Sequence, residues 1–94
     1  MNMESKYNTT MAEASRVYRE ATMDAFALYV HDCELAGQRY KASTGDVLEA
    51  QDRCRDEIDD AGHRYDAAVI VQLAAYIVAR DAAMKAYSLS ENLA

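Results

Sequence analysis

Apolar positions along this chain recur with a helical beat, and no stretch alternates as a strand would. Between residues 4 and 42, Tyr7, Met11, Ala14, Val17, Tyr18, Ala21, Ala25, Leu28, Tyr29, Leu35, Ala36 and Tyr40 fall on one broad side of a helical wheel. Arg16, Glu20, Glu34, Gln38 and Lys41 fall opposite. That spacing predicts a long amphipathic helix. The clearest part of the pattern is a ladder of tyrosines. Tyr7, Tyr18, Tyr29 and Tyr40 stand eleven residues apart, and Tyr65, Tyr76 and Tyr87 repeat the interval, which accounts for all 7 tyrosines. Eleven residues make three turns at about 3.67 residues per turn, close to the free α-helix, so each series stays on one face. Two long helices are expected, each with a tyrosine edge. Ala14, Ala25 and Ala36 recur at the same interval. Large side chains against small ones at fixed spacing suit close packing of one helix on another.

The break between the helices falls at Lys41-Ala42-Ser43-Thr44-Gly45-Asp46. Ser43 with Asp46 three residues on resembles a capping box with a shortened acid, Thr44 is an alternative N-cap, and Gly45 relaxes the turn. The expected fold is all-α: a long antiparallel helical hairpin in a single domain, residues 1–94. Its first helix covers about 4–42, the turn 42–45 and the second helix about 45–89, with a bend allowed at Gly62. A three-helix monomer broken at Gly62 is the alternative, and the tail from Ser88 is expected to fray.

The second helix changes character along its length. Residues 46–60 are charged, with Glu49 and Arg53, and Arg53 and Glu57, spaced to pair at i,i+4. From Tyr65 to Ala79 only Asp66 and Gln72 are polar. A helix apolar nearly all round must touch several neighbours, and one hairpin offers it a single one. Leu, Ile, Val and Phe together number only sixteen, a thin core for one chain. Pairing of two hairpins into a four-helix bundle is therefore expected.

Charge narrows the partners. Residues 1–45 carry five basic and six acidic side chains, residues 46–94 five and ten, which gives the net −6. Direct nucleic-acid binding needs a basic footprint and is disfavoured. The acidic stretch with Asp52, Asp56, Asp59 and Asp60 instead suits a basic protein surface, as an imitation of DNA. No run of eighteen apolar residues is present, and the polar faces lack the Lys and Arg of membrane-surface helices, so no membrane partner is expected. The polar start Met-Asn-Met-Glu-Ser lacks a signal-peptide core, which points to the cytoplasm.

Candidate chemistry is sparse. No serine or threonine has a defensible His-acid arrangement and no glycine-rich loop cradles phosphate, so neither an enzyme nor a cofactor is expected. Cys33 and Cys54 have their midpoint at 43.5, inside the turn, which predicts two thiols at one height of the hairpin; whether they join stays open. Asp32 falls inside the apolar stripe with Arg39 at a similar angle, as a polar pair. Asp60-x-x-His63 places a carboxylate three residues before a histidine, as di-iron helical bundles do. With Asp32 or Glu34 on the first helix, this layout resembles the two-helix ferritin-like proteins. That resemblance implies a metal site of Asp32 or Glu34 with Asp60 and His63, although an aspartate stands where the motif has glutamate. The outline is also similar to secreted hairpins of the WXG type, but the turn lacks Trp-x-Gly and the chain has no tryptophan.

Together these features predict a non-enzymatic interaction module. It would be an adaptor or inhibitor, in the style of small acidic phage and mobile-element proteins, that binds and blocks a larger protein. Met23, Phe26 and Val30 extend the apolar surface of the first helix sideways and are the expected contacts, with the four aspartates. A ferritin-like metal protein and a purely structural homo-oligomer are the alternatives.

Overall fold

The structure, a computed structural model, describes residues 2–93. Among them all regular structure is helical, in two elements: α1 (Met3–Ala42, 40 residues) and α2 (Val47–Leu93, 47 residues). The chain is an all-α helical hairpin. Tertiary contacts divide it into a turn unit, Met23–Val69, and a terminal unit formed by Met1–Thr22 with Ile70–Ala94.

In the turn unit the tight connection rests on two residues. Gly45 takes φ 137°, a left-handed conformation that only glycine adopts without strain. Asp46 then caps α2. Its Oδ1 accepts hydrogen bonds from the backbone N–H of Leu48 at 2.8 Å and of Glu49 at 3.4 Å, and its carbonyl accepts the first helical bond, from Ala50, at 3.1 Å. The expected caps, Ser43 and Thr44, do not serve. The Ser43 N–H instead bonds back to the Tyr40 carbonyl at 3.2 Å and closes α1. The carboxylate that the capping-box reading placed inside the helix is thus the cap itself, and α2 begins at Val47 rather than near 45.

The inward side of the turn unit is built from small residues. Ala36, Ala50 and Ala61 are the buried hydrophobic residues, at 1%, 5% and 1% exposure, and no larger side chain among the described residues is fully buried. Ala50 and Ala61 stand eleven residues apart on α2, at the interval of the tyrosines. A methyl at the contact lets two backbones approach, and the tyrosines flank the gap. Tyr29 and Tyr65 meet across the hairpin with ring centroids 5.6 Å apart, and Phe26 lies 5.8 Å from Tyr65 and 6.2 Å from Tyr29. Two ion pairs also cross: Arg64 to Asp32 at 3.2 Å and Arg39 to Glu57 at 3.1 Å. Asp32 therefore does not pair with Arg39, as the wheel suggested; each reaches the facing helix instead. The expected pairs of Arg53 with Glu49 and Glu57 are likewise absent among the described residues; Glu57 turns inward to Arg39 instead. α2 runs through Gly62 as uninterrupted helix. A Cβ at Gly62 would meet only Tyr29 Cε2 at 3.9 Å, an ordinary contact, so packing does not demand glycine there.

The terminal unit repeats the aromatic device with less beneath it. Tyr7 meets Tyr87 at 5.3 Å and Tyr18 meets Tyr76 at 5.7 Å, both tilted. Each such pair contributes on the order of 0.5–1.5 kcal/mol beyond the area it buries. Asn2 Oδ1 caps the start of α1 by accepting from the Ser5 N–H at 2.8 Å. No residue of this unit is buried, and no ion pair crosses between its helices among the described residues. Val17, which the wheel placed on the inward side, is exposed here, as Leu28 is in the turn unit. In each unit the paired tyrosines have residue numbers that sum to 94.

Candidate interaction surfaces

That register decides the cysteines. Counted from the Tyr29–Tyr65 pair, the residue opposite Cys33 is Ala61. Cys54 lies seven residues away, about 10 Å along the helix axis at 1.5 Å per residue. A disulfide needs Cα atoms within roughly 7 Å. Both thiols are free and half-buried, and their expected meeting at one height does not occur. The midpoint argument fails because the register centres on residue 47 and not on the turn: the first turn of α2 lies opposite the connection rather than opposite α1. Cys33 instead acts on Tyr29. Hydrogen bonding to Cys33 is the main cause that pushes the Tyr29 phenol above its ordinary value, with Asp66 and Asp59 adding in the same direction. In the terminal unit Glu91 raises Tyr87 in the same way.

The residues of the ferritin-like layout are not gathered. Among the described residues no group of three or more His, Cys, Asp or Glu side chains could hold a metal ion. Asp32 is engaged by Arg64. Glu34, Asp60 and His63 point to solvent.

The expected interaction residues stand as follows. Met23, Phe26 and Val30 are all exposed large hydrophobics of the turn unit, Phe26 at 52%. They are spaced i, i+3 and i+7 on α1, with the exposed Ala27 between them, so they line one flank. The Phe26 ring packs against Tyr29 and Tyr65 and stays half exposed. Asp52, Asp56, Asp59 and Asp60 are all exposed and share the outer side of α2 in the same unit. Asp52 is paired with Arg55 one turn on. Near the turn a groove of about 400 Å³ is lined by Tyr40, Gln51, Cys54, Arg55 and Ile58. Tyr40 is the one tyrosine whose place across the hairpin is taken by a smaller side chain, Cys54.

A further surface lies within the apolar stretch from Tyr65 to Ala79, whose composition alone does not say which of its residues face outward. In the terminal unit Ile70, Val71 and Val78 are 63–69% exposed, and Ala74 and Ala75 between them are exposed as well. The signal that finds them is the i, i+4, i+8 spacing of Ile70, Ala74 and Val78 on the side away from Tyr76.

This stretch also bears on the membrane expectation. α2 contains an 18-residue window of mean hydropathy 1.5 that is only 6% buried, so by length and composition it could cross a membrane. The reading from unbroken apolar runs missed it because the window tolerates charges. The charge-free part, Ala67 to Ala79, has thirteen residues. At 1.5 Å per residue it spans about 20 Å, short of the ~30 Å hydrocarbon core. No family model matches this chain, and neither a curated protein nor a solved structure is similar to it.

Proposed function

We propose that this protein is a non-enzymatic interaction module that binds a larger protein through the Met23–Phe26–Val30 flank of α1. The observation behind this reading is the spacing i, i+3, i+7 of three exposed apolar side chains, the anchor pattern by which a helix lies in a hydrophobic groove. A phenylalanine held by two tyrosines loses little freedom on docking, which favours it as the central anchor. The exposed aspartates of α2 would steer the approach to a basic surface, including one that otherwise holds DNA. An adaptor or an inhibitor would both work in this way.

A capture experiment tests it. A tagged chain is used to isolate a partner from lysate, and the purified partner is then titrated against variants. Phe26→Asp is expected to weaken binding at least about tenfold, as hot-spot aromatics do, whereas Val78→Asp leaves it unchanged. A partner that binds the Phe26→Asp chain as tightly as the native one removes this reading.

Self-association is the second part of the proposal, with two hairpins joined in a four-helix bundle. It is supported by the exposed aliphatics of α2 at 70–78, which one hairpin leaves uncovered.

A further inference from the structure

The outer side of α2 in the terminal unit has an unusual make-up. Ile70, Val71, Ala74, Ala75 and Val78 form one uncovered stripe, with bulky side chains at both ends and alanines in the middle. The stripe holds no charge; the charged positions that bound it on the helix are the exposed Asp66 before it and Arg80, Asp81 and Lys85 after it, of which Asp81 is engaged by Arg80. We propose that a second copy of this chain docks on it, α2 against α2, antiparallel and centred on Ala74. This rests on the pairing of two hairpins proposed above and names its contact and direction.

Shape argues for this occupant. A two-fold axis at Ala74 sets alanine against alanine, which permits close approach of the helices. The same axis brings Ile70 and Val71 of one copy against Val78 of the other, and the reverse. The stripe is thus complementary to itself, as an isologous contact must be. The hairpin already uses the same device within the turn unit, where alanines sit at the contact between larger side chains.

Charge selects the direction. A parallel pairing in register would set Asp81 beside the partner's Asp81 and Lys85 beside the partner's Lys85, and like charges at such spacing repel. Antiparallel pairing about Ala74 separates both pairs, and the exposed Asp66 from its own counterpart as well. It sets Asp66 at the height of the partner's Asp81, which Arg80 engages, and within a turn of the partner's Lys85. A lipid surface is the poorer occupant: the charge-free run is too short to span, and a chain of net charge −6 is repelled by anionic headgroups.

Area sets the strength. Three largely exposed aliphatics and two alanines amount to roughly 300–400 Å² per copy, below the ~600 Å² per partner of a specific, stable interface. The dimer is therefore reversible, with Kd on the order of 10–100 μM.

Sedimentation equilibrium from about 1 μM to 1 mM reads this directly. The native chain is expected to pass from monomer to dimer, and Phe26→Asp to behave alike. Val78→Asp and the milder Val78→Gln should shift the midpoint at least about tenfold upward, with helical circular dichroism retained. Orientation is read by oxidation of chains that also carry Cys33→Ser and Cys54→Ser. A mixture of Ile70→Cys and Val78→Cys chains should give the mixed disulfide in excess over either chain alone. A native chain that stays monomeric to 1 mM overturns the pairing itself, and its sedimentation with phosphatidylcholine vesicles would give the stripe to lipid. A dimer that both Val78 variants leave intact keeps the pairing but overturns this face. Self-cross-linking of Ile70→Cys chains in excess of the mixed product overturns the direction.

Discussion

The outer side of α2 is acidic in the turn unit and aliphatic in the terminal unit. Asp52, Asp56, Asp59 and Asp60 occupy it in the first; Ile70, Val71 and Val78 occupy it in the second. The inward sides differ in the opposite sense. The turn unit holds the three buried alanines, a three-ring aromatic cluster and two ion pairs that cross the hairpin. The terminal unit holds two tyrosine pairs and, among the described residues, buries none. Where one copy supplies its own packing, the back of the helix is charged and wet. Where it does not, the back of the helix is greasy. The aliphatic content missing from one side of α2 is present on the other, which is the arrangement expected if the terminal unit completes its burial on a neighbour.

The sharpest way to break this comparison is hydrogen exchange at low micromolar concentration. Local opening is cheapest where few apolar contacts are buried. Amides around Tyr18 and Tyr76 are expected to exchange roughly 10–100-fold faster than those around Tyr29 and Tyr65. Uniform protection in both units would show that the terminal unit is no less stable alone.

Substitution comes next in size. Ala61→Leu forces three heavy atoms into the closest approach of the turn unit and should cost about 1–3 kcal/mol in urea unfolding. Ala12→Leu, at an exposed position of the terminal unit, should change stability by less than about 0.5 kcal/mol. Equal costs would mean that burial in the two units is the same.

The smallest effect concerns the crossing ion pairs. Asp32→Ala removes a pair in which Arg64 is mostly exposed and Asp32 partly so. Solvent screening limits its worth to roughly 0.2–1 kcal/mol, lowered further by salt. A loss well above that range, insensitive to salt, would make the pair a structural lock of the turn unit.

Much of the fold was legible in the residues. The eleven-residue spacing of tyrosines states two helices and the faces they turn to each other, because a period of about 3.67 is a property of the backbone and needs no tertiary information. Gly45 announced the turn for the same kind of reason: only glycine takes its φ freely. The exposed flank of Met23, Phe26 and Val30 was also readable, since positions beside a seam follow from the seam. The four aspartates were readable as a solvated face because they cluster on one outer side.

Register and pairing were decided only in three dimensions. A wheel gives the angle of a side chain but not its height against the other helix, so the meeting of Cys33 with Cys54 could be drawn on paper and still fail; Asp32 and Arg39, two turns apart on one helix, each found a partner on the facing helix instead. The axial offset was set by how alanines and tyrosines interlock across the gap and by where Asp46 begins α2. Sequence periodicity determined that this chain folds into two facing helices; side-chain packing across the interface determined which residue faces which, because sliding one helix along another changes every contact and no periodicity.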